Sequence, residues 1–341
     1  MMGSALAVPL ADRGHDVRLV GTPLDEEIVL QMAKDGVHPK LGLKLHDAIR
    51  PFAFSGLGEA TAGADALALG VSSAGIAFAI EHALPLVKPG MPLFMITKGL
   101  AYEDERLVTL PDLLAAHLPE AARASVHPAA IAGPCIAGEL ARRVPTCVVV
   151  AGRDAASNQR IADLIRTPYY HPFPTTDVRG AEVSAALKNA YAMGIAFALG
   201  LHEQRGGSAG SIAMHNLESA TMAQAIFEMR AIAKELGGLE ETVSGLAGVG
   251  DLDVTTNGGR TGRFGKLLGL GLGRDAAIEG MQGATLECLE ILGVLRRAAA
   301  AGALGSRGLT PLPLLAHMMD VALDGAPVEL PLSRFFGGSP R

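Results

Sequence analysis

Tryptophan is absent from the 341 residues, and aromatic residues together make up only 4%. In a chain that is 49% hydrophobic, the core must therefore be built from Ala, Leu, Val, Ile and Met. Cysteine is scarce as well. Cys135, Cys147 and Cys288 form an odd, widely spaced set without a CxxC pair, which excludes a disulfide framework and a zinc site and leaves no metal to expect. Such cysteine usage fits a reduced, cytoplasmic compartment. No uninterrupted apolar run reaches the about 18 residues of a membrane helix, and no basic segment opens the N-terminus, so neither membrane insertion nor a signal peptide is expected. An excess of positive charge is missing too. The net charge is −6 and the Lys and Arg residues are scattered, which argues against nucleic acid or an acidic membrane surface as partner.

What is there is alternation. Short apolar runs at Val17–Val20, Ala66–Val71, Pro92–Ile96, Ala129–Ala132 and Cys147–Ala151 read as strands. Segments of helical spacing lie between and after them, at Asp25–Asp35, Ala74–Leu86, Leu107–His117 and Asp154–Ile165. This order predicts a parallel sheet with crossover helices. The texture changes near Asp177, after the extended connection His171-Pro172-Phe173-Pro174. Beyond it, Val178–Leu201, Ser211–Leu236 and Glu287–Ala301 read as long helices, and the tail from Gly337 reads as frayed. The expected architecture is an α/β Rossmann-like nucleotide-binding domain over residues 1–176 and an all-α substrate domain over residues 177–341.

The first residues carry a cofactor signal. Met1-Met2-Gly3-Ser4 opens a small-residue helix that ends before the strand Val17–Val20. In a Rossmann unit a strand and a G-x-G-x-x-G turn precede such a helix, whose N-terminus holds the pyrophosphate. Gly3 stands where the third glycine belongs. The first strand and the first two glycines are then expected upstream of residue 1, with Met1 and Met2 facing the pyrophosphate. After the second strand, Val20-Gly21-Thr22-Pro23 offers neither an acid nor an arginine, so NAD and NADP stay equally open.

Further motifs follow apolar strands. Lys98, in Thr97-Lys98-Gly99-Leu100, lies at a strand's carboxyl end, where ligands bind in open α/β sheets. The small residues of Gly133-Pro134-Cys135-Ile136-Ala137 leave room for a ligand against the backbone. Lys188 and Asn189 sit in a stretch of small and apolar residues, where burying them is costly unless they serve a purpose. Burial disfavours a lysine's charged form and suits it to proton exchange. Gly245–Gly265 interleaves glycines with Asp251, Thr255, Thr256, Arg260 and Thr261. Its glycines suggest a backbone that wraps an anion, Arg260 a bidentate phosphate ligand, the threonines hydroxyl donors, and Asp251 a partner for a lysine ammonium.

Taken in order, these segments, with Pro145–Val150, resemble the NAD(P)-dependent sn-glycerol-3-phosphate dehydrogenases over nearly the whole chain. The resemblance implies a nicotinamide cofactor, NAD or NADP, a small phosphorylated polyol or ketone as substrate, and a homodimer. It implies interconversion of dihydroxyacetone phosphate and sn-glycerol 3-phosphate by hydride transfer at C2. Carried over by residue, Lys188 matches the proton donor and acceptor, with Asp251 beside it. Lys98, Gly133, Cys135, Asn189, Gly259, Arg260 and Thr261 fall at substrate positions, and Met1, Met2, Gly3, Lys98, Ala137, Arg260 and Gln282 at cofactor positions. The chain departs from the family at Cys135 (commonly serine), Thr261 (asparagine), Gln224 (arginine) and Gln282 (near a glutamate), and its Asp251–Arg260 loop is one residue shorter than in common bacterial members. A different polyol phosphate, a β-hydroxyacid dehydrogenase-like activity, and a catalytically impaired nucleotide-binding remnant are the alternative readings.

Overall fold

The computed structural model describes residues 1–208, 214–257, 259–305 and 312–336. The expectations for Ser211, Gly258 and the tail from Gly337 lie outside these residues. The chain divides into two compact units, Met1–Lys98 with Leu110–Val178, and Gly99–Thr109 with Arg179–Arg341.

The first unit is α/β. Among its strands are β1 (Val17–Val20), β2 (Val37–His38), β3 (Leu43–Lys44), β4 (Ile49–Phe52), β5 (Leu67–Leu69) and β6 (Leu93–Met95). The second unit contributes the hairpin β7 (Leu100–Glu103) and β8 (Arg106–Thr109). The first resumes with β9 (Ala129–Ala132), β10 (Thr146–Gly152) and β11 (Tyr170–Thr175). A five-stranded sheet runs in the order β11-β10-β9-β6-β5, while β1 and β4 form a separate parallel ladder with Val17 opposite Ile49. No ladder among the described residues joins β1 to β5. One expectation is corrected here: the sheet is mixed, because β9 and β10 pair antiparallel, with Val149 opposite Ala132.

The supposed connection His171–Pro174 is also corrected. It belongs to β11, which pairs parallel with β10 from Thr146–Tyr170 to Ala151–Thr175. Pro172 and Pro174 lack N–H donors, and they are tolerated because β11 is an edge strand. The helix expected at Leu107 starts only at Leu110. Asp104 and Glu105, both at positive φ, instead turn β7 back on β8, and the hairpin packs on the helix Glu287–Ala300 of the same unit. The sheet's core includes Phe94, Ile131, Val148, Val150 and Tyr170, with Leu6 of the helix Met2–Asp12 packed into it.

The second unit is helical apart from the hairpin. Its long helix, Val178–Gln204, carries Leu187, Tyr191 and Phe197 into a core shared with Met229, Phe264 and Leu292. The Gly-rich stretch is helical rather than a wrapping loop. A π-turn over Leu246–Gly250 leads into the helix Asp251–Thr256, and Arg260–Gly269 is a further helix. Glycine here serves close helix crossing. A Cβ on Gly265 would lie 2.2 Å from the Met193 carbonyl oxygen, and one on Gly200 would lie 2.3 Å from that of Lys266. The helix opened by Arg260 therefore lies backbone to backbone on the helix of Lys188. Gly265→Ala is expected to destabilise the fold by about 1–3 kcal/mol through overpacking. Urea titration checks this, and an unchanged midpoint would count against the crossing as drawn.

Candidate active site

In the second unit, three helix starts meet the long helix at Lys188 and Asn189. Asp251 opens one helix, Arg260 the second and Glu287 the third. Lys188 Nζ donates to Asp251 Oδ1 at 2.5 Å. Lys188 is 8% exposed and Asp251 1%, so the pair is taken almost wholly out of water. Asn189 Nδ2 donates to Glu287 Oε2 at 2.9 Å, and Glu287 Oε1 lies 3.9 Å from Arg260 Nη2. Arg260, with a side chain 55% exposed, keeps access to solvent. Gly259, its N-cap, supplies no side-chain cap, so the first N–H groups of this ten-residue helix, together with the positive end of its dipole, suit an anion.

Not every residue read as a ligand faces this cluster. The hydroxyls of Thr255 and Thr256 donate to their own helix, to the carbonyls of Asp251 at 2.6 Å and Leu252 at 2.9 Å, so the expectation that they serve as free donors is corrected. Thr261 is buried, as is Cys288, whose thiol burial pushes up to about 12. Gln224 is fully buried in the core, where Nε2 donates to Glu228 Oε1 at 2.6 Å. Gln282 is exposed in the turn before Glu287 at a φ of 53°. Glu287 was not singled out from sequence. An acid in the first turn of a helix is ordinary, and nothing in the chain marks its reach to Asn189.

The first unit holds the other candidates at the carboxyl ends of its parallel strands. β5, β6 and β9 run parallel to one another, and Lys98 and Gly133 follow the ends of β6 and β9. Lys98 Nζ donates to the Gly133 carbonyl at 3.3 Å, and Thr97 Oγ1 donates to the Val71 carbonyl at 2.7 Å. Gly133 has a φ of +127°, and a Cβ there would lie 3.1 Å from Val148 Cα, so only glycine fits. Cys135 is half-buried beyond it, and Ala137 opens a short helix.

The residues at the start of the chain fit a dinucleotide. Met1 is the N-cap of the eleven-residue helix Met2–Asp12 and makes no side-chain cap hydrogen bond. Gly3 packs on Gly70 just past β5, and a Cβ on Gly70 would lie 2.8 Å from Gly3 Cα. That is the close helix–strand approach the third glycine of a dinucleotide turn provides. Among the described residues no group of three or more His, Cys, Asp or Glu could hold a metal ion, and no helix is long and apolar enough to cross a membrane.

Comparison with known proteins covers both units. A family profile described as NAD-dependent glycerol-3-phosphate dehydrogenase N-terminus matches residues 1–158, and one described as the C-terminus matches residues 177–332. The chain is 36% identical over 281 residues to the NADP(+)-dependent glycerol-3-phosphate dehydrogenase of Archaeoglobus fulgidus, covering 82% of this chain and 81% of that protein. It is 33% identical over 275 residues to the glycerol-3-phosphate dehydrogenase [NAD(P)+] of Geobacter metallireducens, covering 79% and 76%. The crystal structure of glycerol-3-phosphate dehydrogenase from Coxiella burnetii superposes with a TM-score of 0.79 at 25% identity, covering 98% of this chain and 94% of that one.

Proposed function

The chain belongs to the NAD-dependent glycerol-3-phosphate dehydrogenase family, and from that premise we propose how its own residues carry the interconversion of dihydroxyacetone phosphate and sn-glycerol 3-phosphate. The observation that carries this reading is the buried Lys188–Asp251 pair beside Arg260 and an uncapped helix start. A nicotinamide dinucleotide, NAD or NADP, when bound, would supply or accept the hydride at C2.

Lys188 gives its Nζ proton to the C2 oxygen as the ketone is reduced, and takes it back when the alcohol is oxidised. Asp251 fixes the ammonium in place and balances its charge in a site nearly closed to water. Arg260 and the N–H groups that follow Gly259 bind the phosphate, far from the reacting carbon, and so orient the substrate. Asn189, held by Glu287, contributes an amide to the same face. In the first unit, Lys98 and the backbone at Gly133 serve the nicotinamide, while Met1, Met2 and Gly3 serve the pyrophosphate.

The test is a comparison of dihydroxyacetone phosphate with dihydroxyacetone and with short 2-keto acids, following nicotinamide absorbance. The phosphorylated ketone should be preferred. Arg260→Ala should raise its KM by about 10–100-fold, the loss of one charge-assisted contact, and leave the unphosphorylated ketone unaffected. Equal loss on both ketones would remove Arg260 from the phosphate, and preference for a keto acid would favour the β-hydroxyacid reading.

A further inference from the structure

Glu287 introduces a charge that the reaction as proposed does not require. The cluster in the second unit holds two cations, Lys188 and Arg260, and two carboxylates, Asp251 and Glu287. Asp251 is committed to Lys188 at 2.5 Å. Arg260 then has Glu287 as its counter-charge at 3.9 Å, too long for a direct hydrogen bond and short enough for a Coulombic hold. Glu287 opens the fourteen-residue helix Glu287–Ala300, at the positive end of its dipole. Its other oxygen is anchored by Asn189 at 2.9 Å, so the carboxylate cannot swing away without releasing that amide.

A phosphate dianion bound by Arg260 must approach this fixed carboxylate. We propose that Glu287 is a specificity-determining positioning residue, which orients Asn189 and competes with the substrate phosphate for Arg260, so that it raises KM and leaves proton transfer to Lys188 unaltered. The proposal rests on the reading of Arg260 as the phosphate ligand. It assigns Glu287 two separable roles, one through its charge and one through its acceptor oxygen. Glu287→Gln removes the first and keeps the second, since the amide oxygen still accepts from Asn189. Glu287→Ala removes both.

Inorganic phosphate is the probe of the charge, measured by calorimetry on the full chain and as a competitive inhibitor against the phosphorylated ketone. Exposed ion pairs of this kind are weak, so Glu287→Gln should tighten phosphate and lower the KM for dihydroxyacetone phosphate by about two- to fivefold. The KM for dihydroxyacetone should not move, and the effect should fall on KM rather than kcat. Glu287→Ala should tighten phosphate similarly and, with Asn189 released, lower kcat as well. A melting midpoint for each variant separates these changes from loss of fold. Unchanged or weaker phosphate binding in both folded variants would overturn the proposal. Arg260→Ala, run alongside, separates the two levels. If it leaves phosphate binding intact, the phosphate reading itself fails. If it weakens phosphate while neither Glu287 variant tightens it, only the role of Glu287 fails.

Discussion

Lys188→Met is expected to lower turnover by about 10²–10⁴-fold, the usual contribution of a positioned proton donor, while nicotinamide cofactor binding persists. Methionine is the better replacement because it keeps the volume of a side chain set among Leu187, Ala190 and Tyr191, all fully buried. The substitution has a second consequence. It leaves Asp251, 1% exposed, without the ammonium now 2.5 Å away, and breaking a buried pair costs about 3–5 kcal/mol. Lost turnover could then reflect lost fold. Adding Asp251→Leu removes the stranded charge and should return most of the stability, because replacing both members of a buried pair is often neutral. It should return none of the activity. Stopped-flow turnover together with urea titration of the single and double variants reads both quantities. Near wild-type turnover in a folded Lys188→Met chain would remove Lys188 from the chemistry.

The placement of Lys188 and Asp251 shows how much of such a site sequence can carry. A lysine amid Ala, Leu and Val is costly to bury, so its position already implies a partner, and an aspartate in a Gly-rich segment was a fair candidate. The pair meets across 63 positions of chain. What sequence could not carry was how the glycines work. Gly265 reads as part of an anion-wrapping stretch, yet with Gly200 it lets two helices touch at the backbone and so brings Arg260 to Lys188. Helical structure in turn absorbed the Thr255 and Thr256 hydroxyls, which local polarity alone suggested were free. Glu287 acquires meaning only through Asn189, a contact 98 residues distant.

The strands show the same division. Val17–Val20 and Ala129–Ala132 are apolar runs that declare themselves, and both form strands over those residues. β4, Ile49-Arg50-Pro51-Phe52, carries a charge and a proline and owes its extended form to pairing with β1. β11 likewise depends on β10 to hold two prolines in register. The β7–β8 turn lacks the glycine or asparagine that marks a two-residue hairpin, because Asp104 and Glu105 accept positive φ themselves. In each case tertiary pairing overrides local propensity.

Gln224 draws attention to what holds the helix of Lys188 in place. A departure from the family pattern, it serves Glu228, a fully buried carboxylate with four donors. Glu228 Oε1 accepts from Gln224 Nε2 at 2.6 Å and from the Leu314 N–H at 2.7 Å. Its Oε2 accepts from the Leu315 N–H at 2.8 Å and from the Tyr191 hydroxyl at 2.9 Å. Tyr191 stands three residues past Lys188 on the same helix, and Leu314 and Leu315 lie in the first turn of the helix Pro313–Asp324. Glu228→Ala strands all of these donors at once, and since each unsatisfied buried group costs about 1–3 kcal/mol, a loss of roughly 3 kcal/mol or more is expected. The loss should depend on pH. Burial pushes the Glu228 carboxyl above its ordinary 4.5, outweighing the hydrogen bonds that pull it down. A carboxyl raised in the folded state contributes its stability fully below the unfolded value, and loses it as pH rises through the folded one. The cost of Glu228→Ala should therefore shrink between about pH 5 and about pH 8. Urea titrations of both proteins at those two values measure it. A cost that grows with pH would mean that the four donors, rather than burial, set the charge of Glu228.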